Sequence, residues 1–441
     1  MKFMSKRFLL AAVLSCLLIC LAAFALYRLP VINEPLGWRI EGLQTQLQRY
    51  LNPPEQQVFI PKGQASLSTA STELVNPAAS DAPEEPSMPA ATNELPPPTG
   101  TPLAAPTPRD TPTPLPEQVV LSGVVHEYQQ FNNCGPATLS MALSYWGWQG
   151  DQRATRTSLR PNFASVDDKN VNPWEMVKFV EANSTLLALQ RVGGDLEMLK
   201  ALLAAGFPLM IEIGIQQHPG DWMGHYLLLT GYDDQRARFT TQDALVGPDL
   251  PVGYEQVEAG WRAFNNVFLI VYPAESQAII DSIMGEQADP QANLQSAAQK
   301  ASQETTQLSG RDLFFAWYNL GTSLTTLGDY PGAAQAYDQA FSIYPTISEE
   351  DRPWRMLWYQ SGPYEAYFNT GRYQDVIELG NQVLNLAGGP LLEETFYWLG
   401  KAREATGDIE KALYDYNKAI EINPDSTPAQ AALQRLGANN P

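Results

Sequence analysis

Histidine is scarce in this chain, and so is cysteine: there are three of each among 441 residues. Cys16 and Cys20 lie inside one apolar run, so Cys134 stands alone in the rest of the chain. A lone thiol cannot close an internal disulfide. His126, His218 and His225 are scattered, and with a single cysteine they give no spacing that would hold a metal ion. Basic residues are also few, 28 against 48 acidic ones, for a net charge of −20. Nucleic acid and anionic surfaces attract Lys/Arg clusters, so this balance argues against both as partners. There is no Gly-x-x-x-x-Gly-Lys phosphate loop and no Gly-x-Ser-x-Gly elbow. No metal and no cofactor is expected.

What is present begins with "FLLAAVLSCLLICLAAFALY", residues 8–27, preceded by Lys2, Lys6 and Arg7. Twenty residues at a rise of about 1.5 Å span roughly 30 Å, the thickness of a bilayer core. Positive charge ahead of the run places the start in the cytoplasm and the remainder outside. The run reads as a membrane anchor over 1–28. A cleaved signal stays open as the alternative, because Ala23-Phe24-Ala25 has the small-x-small spacing a signal peptidase reads. The expected location is the cell membrane, single-pass, with the bulk of the chain extracellular.

Residues 29–63 read as a juxtamembrane segment with an amphipathic stretch, "GWRIEGLQTQLQRYLNPPEQQVFIPKG". Residues 64–118 hold thirteen prolines among Ala, Ser and Thr and no aromatic residue, the composition of a disordered stalk. From 119 to 273 the composition turns globular and reads as α+β. Helices are expected from Cys134 to about Trp146 and near 173–183 and 195–205. Strands are expected in "PLMIEIGI" (208–215), "HYLLLTGY" (225–232), "RFTTQD" (238–243) and "NVFLIVY" (266–272), with Asp233 and Asp234 in a turn.

Residues 290–441 repeat. "WYNLGTSLTTLGDYPGAAQAYDQAFSIYP" (317–345) and "FYWLGKAREATGDIEKALYDYNKAIEINP" (396–424) align without gaps. Leu320-Gly321, Gly328, Ala333, Tyr337, Ala340 and Pro345 match Leu399-Gly400, Gly407, Ala412, Tyr416, Ala419 and Pro424. This pattern resembles the tetratricopeptide repeat, an all-α solenoid whose surface holds a protein or peptide partner. A degenerate copy spans 367–384. A capping helix is expected at 428–436, and a further helix at 291–308. The Trp and Tyr of this region read as core packing.

The lone thiol opens an apolar helix in "FNNCGPATLSMALSYWGW" (131–148). Asn132 and Asn133 can cap it, and Pro136 is tolerated in its first turn. No charged residue occurs from Cys134 to Gly150, so the helix belongs in the interior. A thiol at a helix N-terminus meets the positive end of the dipole and free backbone N–H groups, which favour the thiolate and a developing oxyanion. Such a nucleophile wants an imidazole and a group to orient it. His218 sits in a polar loop, and His126 in the lead-in to the helix. His225 opens a core strand behind Gly224, which suits it best. Asp243 ends the strand that should return beside His225. Gln129 or Gln130 could add an amide to the oxyanion hole.

"YQQFNNCGPATLSMAL", "GHYLLLTGYD" and "TTQDAL" together resemble the papain-like superfamily, in its bacteriocin-processing (double-glycine) peptidase-like branch. The resemblance covers about 119–273 and implies a papain-like α+β fold. It further implies Cys134 as nucleophile, His225 as general base and acid, Asp243 as orienter and Gln129 at the oxyanion. Related enzymes also place that group six residues before the cysteine, which here falls on Tyr128. The expected activity is a cysteine peptidase acting on peptide bonds, with the repeats recruiting substrate or partner. An acyl or peptidyl transferase using the same triad, or a non-catalytic binding scaffold, are the alternatives. A double-glycine substrate is not carried over, because this chain lacks the nucleotide loop of the export ATPases and faces the other way.

Overall fold

The computed structural model describes residues 59–61, 114–160, 170–216, 219–386 and 391–437. The apolar run, nearly all of the juxtamembrane segment and stalk, and His218 lie outside the described residues. Among the described residues no helix is long and apolar enough to cross a membrane.

Seven antiparallel strands form one sheet. They are β1 (Gln118–Val120), β2 (Leu187–Arg191), β3 (Leu209–Gln216), β4 (Trp222–Asp233), β5 (Arg238–Asp243), β6 (Gly247–Gly253) and β7 (Phe268–Tyr272). Their order is β2-β7-β3-β4-β5-β6, and β1 pairs with the far end of β4. The central strand β4 reads as a continuous apolar run because both its faces are covered. Tyr226 and Leu228 pack under α1 (Cys134–Tyr145) and α3 (Pro173–Asn183), with Leu139, Met141, Met176 and Val180. Leu227 and Leu229 face the other way. They meet Leu199 and Leu202 of α4 (Leu196–Ala204) and Val257 and Trp261 of α5 (Tyr254–Trp261). A short helix α2 (Gln152–Leu159) braces α1, and α6 (Gln277–Met284) leads out of the sheet.

The helical part begins with α7 (Pro290–Glu304). Two pairs follow, α8 (Gly310–Leu327) with α9 (Tyr330–Ile343), and α11 (Gly362–Asn369) with α12 (Tyr373–Leu384). The third pair is α13 (Glu393–Ala405) with α14 (Ile409–Ile422), closed by α15 (Thr427–Arg435). The matched glycines of the repeats have one job. A Cβ on Gly321 would stand 2.7 Å from the Tyr337 ring, and one on Gly400 would stand 2.7 Å from the Tyr416 ring. The α8–α9 and α13–α14 pairs therefore each close by seating a buried tyrosine on a glycine.

Between α9 and α11 the repeat is interrupted by residues 344–361, which include the one-turn helix α10 (Met356–Tyr359). This segment packs on the sheet domain. Gly220 N–H donates to Glu350 O (2.9 Å) and Trp354 Nε1 donates to Gly220 O (2.9 Å). Arg355 donates to Trp222 O (2.6 Å) and to Asp221 Oδ1 (2.7 Å), and Gln360 Nε2 donates to Ala263 O (2.8 Å). Trp222 and Phe264 of the sheet domain share one buried cluster with Phe315, Tyr318 and Tyr337 of the repeats. Sheet and repeats thus meet through a continuous core, and they meet at the residues that lead into His225.

Candidate active site

Cys134 is the first residue of α1, where the chain turns inward. Asn133 holds the N-cap position but does not cap with its side chain, contrary to expectation. Its Nδ2 donates instead to Gln152 Oε1 (2.9 Å), because α2 packs close enough to offer that acceptor. Asn132 takes a left-handed φ of 51° and turns the chain into the helix. Gly135 lets the helix start sit against Tyr226 and Val171, where a Cβ would be 3.4 Å and 3.5 Å from their side chains.

His225 lies near the start of β4, three residues in, and is 3% exposed. Its Nε2 is 2.8 Å from Asp243 Oδ1 at the end of β5. Register explains the meeting: β5 runs antiparallel to β4 with Gln242 opposite Leu228, so Asp243 comes level with the stretch just after His225. Two backbone amides, Leu245 N–H (2.8 Å) and Val246 N–H (3.3 Å), also donate to Asp243 Oδ1. With Nε2 engaged, the other ring nitrogen of His225 is left for Cys134, with which the imidazole is hydrogen-bonded.

The electrostatics follow from these contacts. Burial alone would raise the Cys134 pKa, but the His225 hydrogen bond and charge, with the Tyr226 and Gly135 backbone amides, lower it below an ordinary thiol. Burial opposes the charged imidazole, yet the Asp243 and Cys134 contacts outweigh it and raise His225. Burial likewise opposes Asp243 ionisation, and the His225 contacts with the two amides win, holding its pKa low. The favoured state is thiolate, imidazolium and carboxylate in a row.

The two glutamines separate. Gln130 Oε1 accepts from Arg156 Nη1 (2.6 Å), so its side chain is committed to α2. Gln129 donates its backbone N–H to Ala244 O (2.8 Å), beside Asp243, and its buried side-chain Oε1 has no partner among the described residues. Tyr128 is 53% exposed. His126 Nδ1 pairs with Gln242 Oε1 (3.1 Å), away from the thiol's own contacts.

Sequence reasoning passed over three further groups. Glu212, 5% exposed in β3, has its pKa pushed well above the carboxylate range by burial. Tyr226 OH lies 2.9 Å from Glu212 Oε2 and 3.0 Å from Val171 O. The tyrosine has one proton, so a neutral Glu212 donating to Tyr226 while Tyr226 donates to Val171 satisfies both contacts. A single carboxylate within "PLMIEIGI" was the available signal. Tyr359 comes from the repeat side, and burial pushes its phenol up to about 12, with the Cys134 charge adding to the rise. Asn170 Nδ2 donates to its carbonyl (3.3 Å). Nothing local in the sequence marks it.

Comparison with known proteins adds the following. Residues 122–269 match the Peptidase_C39 like family, and residues 314–347 and 393–426 each match the tetratricopeptide repeat. A solved structure described as a C39-like peptidase from Bacillus anthracis aligns at 18% identity and a TM-score of 0.30. It covers 35% of this chain and 96% of that one. A mouse protein named FK506-binding protein-like is 29% identical over 116 residues, 26% of this chain. The match spans about a third of that relative's length, 33%. The chain thus joins a domain that matches the Peptidase_C39 like family to a region that matches the tetratricopeptide repeat.

Proposed function

We propose that this protein is an exported, membrane-anchored cysteine peptidase in which Cys134, His225 and Asp243 act together. The observation that carries the reading is the 2.8 Å His225–Asp243 contact beside a thiol whose pKa is lowered despite burial. Cys134 Sγ attacks the carbonyl carbon of a peptide bond, and the charge that develops on oxygen meets the N–H groups at the start of α1 and the Gln129 amide. The His225 imidazolium gives its proton to the leaving amine, and the C–N bond breaks to leave a thioester. Neutral His225 then takes a proton from water, whose oxygen attacks the thioester, and the acid leaves as Sγ is restored. Asp243 holds the ring and its charge throughout. The apolar run at 8–27 would anchor the chain with this domain outside, and the repeats would recruit a protein substrate or partner.

The test is the rate of Cys134 alkylation from about pH 4 to 9, read by mass spectrometry on the peptide bearing Cys134. An ordinary thiol titrates near about 8.5, whereas a His-paired thiolate persists to roughly pH 3–5. A fast acid-side plateau that His225→Ala removes is the expected result. A slow rate that rises only above about pH 8, and ignores His225, would overturn the reading in favour of a non-catalytic scaffold.

A further inference from the structure

The repeat domain contains a small apolar groove walled by Phe341, Trp354, Leu357, Leu379 and Val383 together with Phe59. Its origin is the interruption after the first clear repeat. Helix α9 ends at Ile343 and α11 begins only at Gly362, so residues 344–361, with the single turn of α10, form one wall in place of a full repeat helix. Leu379 and Val383 of α12 form the opposite wall.

Phe59 itself forms part of the lining of this groove. It lies far ahead of both folded parts in sequence, yet it is 5% exposed and belongs to the same buried cluster as Phe341, Tyr364 and Tyr367. Its ring meets Phe341 edge-on at 5.2 Å and Tyr367 at 6.3 Å, so it bridges α9 and α11. Pro61 is buried as well, whereas Ile60 between them is 65% exposed. Burial at i and i+2 with exposure at i+1 is the pattern of an extended segment lying flat on a surface. A proline suits the second buried place, because it has no N–H to leave unsatisfied there.

We infer that the apolar surface of α9 and α11 beside this groove is a docking site for an aromatic-x-proline segment and that its occupant is the chain's own Phe59-Ile60-Pro61. Docking ties the sequence just ahead of the Pro-rich stretch to the same body that the stretch re-enters at Pro114. A connection of about fifty residues gives a tethered ligand an effective concentration on the order of 1 mM. A site with an intrinsic Kd of about 100 μM is then roughly nine-tenths filled in cis. The latch needs no high affinity, and a free copy of the segment must out-compete that local concentration. The inference stands apart from the thiol chemistry and survives its failure.

The experiment uses the full chain and, as probe, a fluorescent peptide of residues 55–64 (EQQVFIPKGQ). Phe59→Ala vacates the ring's place against Phe341 and Tyr367, so the peptide should bind that variant about tenfold tighter than the unsubstituted chain, where the tethered segment competes. Ile60→Ala, altered at the exposed position, should behave as the unsubstituted chain does. Hydrogen exchange supplies a second readout: amides at 341–344 and 354–357 should exchange faster in Phe59→Ala while α13 and α14 stay protected. Equal binding to both chains overturns the inference, as does no binding to either up to about 1 mM peptide or unchanged exchange. A dimer in light scattering that Phe59→Ala converts to monomer would place a second copy's segment on this surface and overturn the intrachain occupant.

Discussion

Tyr359, carried by the segment that interrupts the repeats, lies against Gly224, the residue immediately before His225. A Cβ at position 224 would stand 3.1 Å from Tyr359 Cε1 and 2.8 Å from Phe264 Cζ. The Gly224 N–H also reaches the Tyr359 side chain as a hydrogen-bond donor. The repeats therefore bound the backbone from which the histidine projects.

Gly224→Ala should accordingly harm the site more than the fold. The added methyl falls inside the distance that real Cβ atoms keep from Phe264, whose ring is stacked on Trp222 at 6.0 Å and has little room to withdraw. Overpacking of this kind costs about 1–3 kcal/mol. The expected outcome is a midpoint lowered by that amount in urea and an alkylation rate of Cys134 at pH 6 reduced at least about tenfold. An unchanged rate would mean that the strand start has slack.

Tyr359→Phe removes only the hydroxyl. The ring contacts with Phe264 (5.7 Å) and Trp222 (6.2 Å) remain, so thermal stability should fall by no more than about 1 kcal/mol, the worth of one hydrogen bond. The Gly224 amide loses its acceptor, and hydrogen exchange at 222–226 should rise in this variant relative to the unsubstituted chain. Tyr359→Ala should raise that exchange further and slow Cys134 alkylation, separating the ring's packing from the hydroxyl's bond.

Asp243→Asn keeps the shape and deletes the charge that raises His225. Loss of an adjacent opposite charge moves a pKa by about 1–3 units, so the imidazolium becomes harder to keep and the thiolate with it. The acid-side plateau of Cys134 alkylation should shrink, with a rate at pH 5–6 lower by at least about tenfold. A full plateau in the variant would remove Asp243 from the site.

Much of this arrangement was legible before any fold was known. The apolar helix behind Cys134 and the apolar strand behind His225 announced buried elements, and a turn at Asp233-Asp234 implied the hairpin that aligns Asp243 with the histidine. Strands β2 and β6 escaped: "LALQR" is half-buried at the sheet edge and "GPDLPVG" is held by register to β5 rather than by its own pattern. The choice between Gln129 and Gln130 turned on Arg156, a partner 26 residues from Gln130 that no local rule names. Tyr359 and the burial of Phe59 are further from reach, since both depend on where an interruption in a helical repeat meets another part of the chain.

Glu212 gives a pH dependence with a definite sign. Burial raises its folded pKa well above the usual value, while the unfolded group ionises near about 4.3. The native state therefore holds the proton over a range where the unfolded state has lost it, and this contribution is complete below about pH 4.3. It declines as the pH rises towards the folded value. Glu212→Gln, which keeps a neutral donor beside Tyr226, should flatten the fall in stability between about pH 5 and 7.5, measured as urea midpoints. A steeper slope in the variant would show that Glu212 is ionised in the folded protein.

Arg355 tests the junction itself. It is 1% exposed, its guanidinium lies 4.1 Å from the Trp354 ring centre, and its two terminal nitrogens divide between Trp222 O and Asp221 Oδ1. Both acceptors lie in the stretch that delivers His225. Lysine has the charge but not the fork, so Arg355→Lys can satisfy only one of the two acceptors well and leaves the aromatic stack. Breaking one side of a buried ionic contact costs about 3–5 kcal/mol, and a lysine that recovers part of it should cost about 2. The informative readout is where the loss falls. If residues 344–361 hold the histidine strand, Arg355→Lys lowers the thermal midpoint and raises hydrogen exchange at 219–226 together, and Cys134 alkylation at pH 6 slows with them. A drop in midpoint with 219–226 still protected would assign Arg355 to the repeats alone.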